Sequence, residues 1–333
     1  MTPIKECLLN KNTKIKPVWL MRQAGRYLPE FREIRKQNTD FIKLCLNPDL
    51  SKEITLQPIK RFGFDAAVIF SDILMVPYGI GQFVEFKKNF GPQLGDLNNI
   101  NLDNISEKEF TDNLAPVYKL LESLKNDTNL IGKDLIGFVG APWTLMVYMI
   151  NKVSPKNGLK DDFFENEKLI DKLLDILDQF IKLHIKNQVE SGASIIQIFD
   201  SWAGLINNKF DKYLYNPTKS LVNYTKQLGV PVICFPRNIK DYPKFCNIVN
   251  PDVISIDYNV DPRSIINEIS IPVQGGLDPD ILLSDKKNMR QKVNEYLKIF
   301  NNHPYIFNLG HGILPTTEID MVEELVKVVR EFK

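Results

Sequence analysis

Two arginines stand four residues apart in Arg22-Gln23-Ala24-Gly25-Arg26, and an aspartate, Asp72, follows the short apolar run that ends in Phe70-Ser71. A guanidinium is a planar cation whose N–H fork holds a carboxylate through two parallel hydrogen bonds. A carboxylate kept away from water attracts positive charge far more strongly than one in bulk solvent. Together these groups suit a planar, multiply charged anion. Each also has a plainer reading. Arg22 and Arg26 have a second reading as surface ion-pair partners, as Arg32, Glu33, Arg35 and Lys36 on the next helix do. Gly25 and Pro29 favour a shaped loop over a solvated helix face. Asp72 reads also as a helix cap. Gly310-His311-Gly312 is either a tight turn or a phosphate-gripping loop. Tyr148, among Leu145, Met146 and Met149, fits ordinary core; His184 lies on an apolar stripe and is expected to be a satisfied core histidine, with His303 in a polar connection.

Short runs rich in β-branched or aromatic residues recur at Val18 to Leu20, Ala66 to Phe70, Leu135 to Val139, Ser194 to Phe199, Val232 to Phe235, Val253 to Ile256, Ile271 to Val273 and Tyr305 to Phe307. Helical spacing fills the gaps, most clearly over Phe163 to Val189, where Leu173, Leu177, Phe180, Ile181 and His184 share one stripe. Strands buried on both faces and alternating with helices predict a parallel sheet, and this repeat number predicts a single distorted (βα)8 TIM-type barrel; an open doubly wound sheet is the alternative. Thr317 and Asp320 predict a capping-box start to a last helix with Met321, Leu325, Val328 and Phe332 inward. Tyr78 to Pro92, with Gly79, Gly81 and Gly91, reads as a hairpin beside the barrel, and Asn98 to Asn113 as a polar connection. No repeat or linker interrupts the chain, which is expected to form one domain over residues 1–333.

Barrel enzymes carry their chemistry on the loops that follow the strands. Applied here, the rule gathers Arg22 and Arg26, Ser71 and Asp72, Gly140, Pro142 and Tyr148, Asp200 and Ser201, Arg237, Asp257 and Tyr258, Gly275, Gly276 and Asp278, and Gly310, His311 and Gly312 on one rim.

The bulk composition narrows the partners. With 44% hydrophobic and 25% charged residues in 333, the chain is globular in composition. Its 42 basic and 41 acidic residues leave a net charge of +1, so no general attraction to nucleic acid or anionic membranes is expected, and any anion site must be local. Cys7, Cys45, Cys234 and Cys246 show no Cys-x-x-Cys pair and no zinc-type Cys/His spacing, and read as reduced thiols. No apolar run has signal-peptide or membrane-span length, so a cytoplasmic location is expected.

Pro17 to Arg26, continuing through Tyr27-Leu28-Pro29-Glu30-Phe31-Arg32, resembles the N-terminal signature of the uroporphyrinogen decarboxylases. Further segments resembling that family follow in the expected order: Gly63-Phe64-Asp65-Ala66-Ala67 leading to Phe70-Ser71-Asp72-Ile73-Leu74, Gly140-Ala141-Pro142-Trp143-Thr144-Leu145 with Tyr148, Phe199-Asp200-Ser201-Trp202-Ala203-Gly204, and Asn308-Leu309-Gly310-His311-Gly312-Ile313. The resemblance implies a homodimeric barrel enzyme with facing clefts that removes the four acetate carboxyls of uroporphyrinogen without cofactor or metal. It implies Asp72, Arg22 and Arg26 as catalytic residues, and Arg22, Gln23, Arg26, Asp72, Tyr148, Ser201 and His311 as substrate contacts. Three positions depart from the family pattern: Gly276 stands for an asparagine, Asn151-Lys152 for Glu-Gly, and Glu318 for a proline.

Two rival readings carry their own tests. A corrinoid-linked methyltransferase on the same kind of barrel needs a His/Cys zinc set, and here no cysteine lies within a few residues of a histidine. A non-catalytic porphyrinogen- or haem-binding protein would have no use for Asp72.

Overall fold

The computed structural model describes residues 1–87 and 90–332. In chain order its strands are β1 (Ala66–Val68), the pair β2 (Val84–Lys87) and β3 (Gly91–Leu94), then β4 (Asp134–Gly140), β5 (Ile195–Asp200), β6 (Val232–Pro236), β7 (Val253–Ile256), β8 (Val273–Gly275) and β9 (Tyr305–Ile306). All but β2 and β3 form one curled parallel sheet in the order β1-β4-β5-β6-β7-β8-β9, with helices in most of the connections. Most residues of these strands are buried, as a sheet covered on its outer face and filled on its inner face requires.

The first predicted strand takes a different form from the others. Val18 makes a single parallel bridge to Phe307 rather than a ladder. Toward β1 it forms no ladder, because the Val18 N–H is taken by the Asp65 carboxylate, at 2.6 Å, instead of by a strand carbonyl. The segment still occupies the eighth place in the ring. On one side the Phe307 N–H donates to the Pro17 carbonyl (2.8 Å) and the Trp19 N–H to the Phe307 carbonyl (3.4 Å); on the other the Asp65 N–H donates to the Val18 carbonyl (2.9 Å). Inside the barrel Trp19 donates from Nε1 to Gln274 Oε1 (2.9 Å), whose amide nitrogen reaches Gln197 and Ser255 (3.2 Å each). This buried polar chain ties the closing segment to three strands.

The helix Glu167–Glu190 covers the predicted stripe, with Leu173, Leu177, Phe180, Ile181 and His184 all buried. His184 is a core histidine: its Nδ1 meets the Tyr118 hydroxyl at 3.0 Å, and burial pushes its pKa down to about 3. The closing helix Ile319–Glu331 buries Met321, Leu325 and Val328, and Phe332 packs partly against the core. Its predicted capping box does not form. Glu318 is the cap residue without a side-chain bond, and the Thr317 hydroxyl is buried with no partner among the described residues. The polar connection expected over Asn98 to Asn113 is also shorter, because Ser106 caps the Glu109 N–H and starts the helix Glu107–Lys125 inside it. The hairpin is present as β2 and β3, with residues 88–89 of its tip outside the described residues. It docks beside the barrel mouth through the Leu94 N–H on the Lys152 carbonyl (2.7 Å).

Asp65 is the fastener at the other end. Besides Val18 it takes both terminal nitrogens of Arg330 on the last helix, at 2.8 and 2.9 Å, so one carboxylate joins the closing segment, β1 and the chain's final helix. Asp65→Ala should lower unfolding free energy by about 3 kcal/mol, the range of lost charge-assisted hydrogen bonds. Urea unfolding measures this, and a loss under about 1 kcal/mol would show that the barrel closes without it.

Candidate active site

Arg22 lies in the turn that follows the closing segment, and its backbone is left-handed, φ +60°, a conformation that a side chain with a Cβ adopts only when its surroundings hold it there. Two buried amides do so. Gln23 accepts the Leu20 N–H (3.2 Å) and donates to the Ala66 carbonyl (3.0 Å), while Asn308 accepts the Met21 N–H (2.9 Å). The Tyr27 hydroxyl adds a bond to the Gln23 carbonyl (2.7 Å). Gln23 is 1% exposed and both ends of its side chain bond the backbone, so its amide helps to shape this turn. Its neighbour profits. Arg22 runs its stem directly across Gly312, where any Cβ would overlap the Cγ and Cδ of Arg22. Gly310 is equally constrained, against the backbone of Asp257 and Tyr258. The Gly-His-Gly motif thus lets two rim loops and an arginine stem share one narrow space.

Asp72 follows β1. One carboxylate oxygen accepts the Leu74 N–H at 2.9 Å, a local turn rather than a cap on the helix Met75–Gly79. Burial pushes its carboxyl up to about 6, against the Leu74 hydrogen bond and the nearby Arg22 charge, which pull it down. It makes no ion pair among the described residues. The Tyr148 ring stands edge-on to Trp202, centroids 6.2 Å apart, and burial raises its hydroxyl pKa, as does the Asp72 charge. Ser201 is half-buried directly after Asp200. Asp200 itself is a framework residue, accepting the Thr144 hydroxyl (2.6 Å), which in turn accepts the Trp202 N–H (3.0 Å).

The arginines sort themselves by partner. Of nine, Arg61, Arg263, Arg290 and Arg330 pair with carboxylates, and Arg32 and Arg35 donate to backbone carbonyls. Arg22, Arg26 and Arg237 make no such bond among the described residues. Solvent reaches Arg22 through the open mouth, yet enough protein surrounds it that burial lowers its pKa. Asp72 and Tyr148 are near enough to favour its charge, and Arg26 and Arg237 near enough to oppose it. His311 is held down to about 4, by burial first and then by Arg22 and Arg237. The rim therefore gathers Arg22, Arg26, Asp72, Tyr148 and His311 as one electrostatic unit. It adds Arg237, whose position after a strand was legible but whose lack of a partner was not. Among the described residues no three His, Cys, Asp or Glu side chains converge to hold a metal ion. The zinc-dependent methyl-transfer reading has no ligand set in them.

The uroporphyrinogen decarboxylase family model matches residues 1–332. The chain belongs to this family. A protein named uroporphyrinogen decarboxylase from Rickettsia bellii is 41% identical over 324 residues, covering 95% of each chain. One of the same name from Rickettsia canadensis is 39% identical over 333 residues, covering 98% of each. Among solved structures, a methyltransferase from Methanosarcina mazei matches 99% of this chain and 98% of its own with a TM-score of 0.79 at 16% identity, a likeness of fold alone.

Two departures from the uroporphyrinogen decarboxylase pattern have backbone explanations. Gly276 has φ +93°, a region asparagine tolerates and glycine enters freely. Lys152 caps the helix Pro142–Asn151 at φ +63°, where the pattern's glycine is the ordinary choice, and it pairs with Asp96. Nothing in the structure explains Glu318.

All three histidines have lowered pKa values, His303 through burial. In the folded protein none should titrate near 6.5, and below that pH protonation favours the unfolded chain, so stability falls as pH drops. Imidazole NMR should place His311 near pH 4 and move it upward in Arg22→Met. A midpoint near 6.5 that ignores the substitution would break the proposed cluster.

Proposed function

We propose that this chain decarboxylates the four acetate side chains of uroporphyrinogen III to methyl groups, giving coproporphyrinogen III in porphyrin and haem biosynthesis. The observation that carries the reading is the Asp72 carboxylate beside the Arg22 and Arg26 guanidiniums, none of them ion-paired among the described residues, in a chain of this family. An acetate on a neutral pyrrole does not readily lose carbon dioxide, because the electron pair left behind has no acceptor. Protonating the ring carbon creates one: the C–CO2 bond breaks, its pair quenches the ring cation, and the exocyclic methylene then takes a proton while the ring carbon releases one. Each turn consumes one proton and releases one carbon dioxide, and the substrate supplies its own electron sink.

The protein's work is then electrostatic. Asp72 accepts hydrogen bonds from the pyrrole N–H groups and favours the ring cation more than the neutral ring, so it acts on the transition state. Arg22 and Arg26 grip side-chain carboxylates, with Tyr148, Ser201 and neutral His311 offering hydrogen bonds around them. An arginine is a weak general acid, so the proton reaches the ring through a water held by Arg22 or from a substrate carboxyl. The enzyme acts as a cytoplasmic homodimer of one-domain subunits with facing clefts, a reading supported by family resemblance.

Asp72→Asn keeps shape and removes charge. It should cut kcat at least a hundred-fold, the scale of a lost electrostatic stabiliser, with substrate affinity changed far less and a melting temperature no lower than wild type. Arg22→Lys should weaken affinity, since an ammonium lacks the fork. Carbon dioxide release and product carboxyl number decide both. Near-normal turnover in folded Asp72→Asn would sink the central-carboxylate model; a wild type that binds porphyrinogen without releasing carbon dioxide would favour the binding-protein alternative.

A further inference from the structure

Arg237 directly follows β6, which is separated from the closing segment that carries Arg22 by β1, β4 and β5 in one direction and by β7, β8 and β9 in the other. It therefore stands on the wall opposite Arg22. Its backbone is fixed on both sides: its N–H donates to the Asp200 carbonyl (3.0 Å) and its own carbonyl accepts the Gly204 N–H (3.0 Å). The next residue, Asn238, is left-handed at φ +61° and gives its N–H to Asp257 (2.7 Å). Gly204 has to lack a side chain here, because a Cβ would lie 2.6 Å from that of Asn238.

The guanidinium itself is left without a partner. Its Nε is buried and makes no hydrogen bond among the described residues. The fully buried acid closest in sequence, Asp257, is already spent on the Tyr242 hydroxyl and the Asn238 and Asn259 N–H groups, at 2.7, 2.7 and 2.9 Å. A buried donor on a cation, held by a rigid turn and left unsatisfied, calls for an anion from outside the chain. Arg22 and His311 both feel its charge, so that anion would sit within the same mouth.

We infer that Arg237 binds a carboxylate of the substrate on the wall opposite Arg22 and Arg26, so that a polycarboxylate ring is gripped from two sides across Asp72. This rests on the tetrapyrrole reading and assigns that site a third cationic anchor. Gripping opposite edges fixes the ring's tilt as well as its affinity, because one pair of arginines on a single wall leaves the macrocycle free to hinge about them.

The test uses uroporphyrin, an oxidised octacarboxylate probe, titrated by tryptophan quenching into the full chain at several salt concentrations. Arg237→Gln should raise Kd about ten- to a hundred-fold, the span of one ionic hydrogen bond, and flatten its salt dependence. Arg237→Lys should fall between, and Arg290→Gln, which removes a charge paired with Glu324 outside the mouth, should not move it. Wild-type Kd in folded Arg237→Gln, with Arg22→Gln weakened, overturns the inference and leaves the tetrapyrrole reading standing. Wild-type Kd in both overturns the reading too. Should Arg237→Gln fail to fold, Arg237→Lys decides: unchanged Kd and unchanged KM contradict the anchor, whereas a raised KM at near-normal kcat supports it.

Discussion

Asp72 and Arg22 feel each other's charge, yet no ion pair joins them. A direct pair would satisfy both groups and leave nothing for a ligand; complete separation would leave a buried carboxylate with only one hydrogen bond to offset its desolvation. The barrel mouth maintains the state between. It holds opposite charges close enough to moderate one another and far enough apart that each keeps its binding capacity for a molecule carrying both pyrrole N–H groups and carboxylates.

Rigidity makes that state possible, and it comes from groups that do no chemistry. Gln23 and Asn308 spend buried amides on the turn that sets Arg22. Gly312 gives room to the arginine's stem, and Gly310 lets the loop after β9 lie against the loop after β7. Thr55 supports the strand that delivers Asp72 through the Phe70 N–H, at 2.9 Å. Asp200 and Thr144 join the end of β5 to the helix that carries Tyr148. At the far end Asp65 closes the ring. Gln23 belongs to the same framework, since its side-chain bonds to Leu20 and Ala66 shape the turn that sets Arg22.

The repeating alternation of apolar runs and helical stripes made the barrel legible, because strands buried on both faces leave a periodic trace. The strand-end rule then placed Arg22, Asp72, Tyr148, Ser201 and His311 on one rim. What stayed hidden depended on partners distant in sequence. Whether an arginine is paired is invisible without knowing which acids lie beside it, so Arg237 read as one rim residue among many. The framework role of Gln23 was hidden because its bonds to Leu20 and Ala66 exist only once the turn has formed. The Thr317-Asp320 pattern read as a cap and is not one, whereas Ser106 with Glu109 has the same spacing inside a stretch that looked like loop. Side-chain to backbone bonds of this kind are decided by the approach of the chain, which local pattern records poorly.

The most direct measurement is the ionisation of Asp72 in the ligand-free protein, followed by carboxyl infrared difference spectra against Asp72→Asn over pH 4 to 8. A carboxylate desolvated in the barrel mouth and moderated by Arg22 should titrate near pH 6 and shift upward in Arg22→Met. A midpoint at the ordinary aspartate value near 4, or one that does not move when the arginine is removed, would contradict the account.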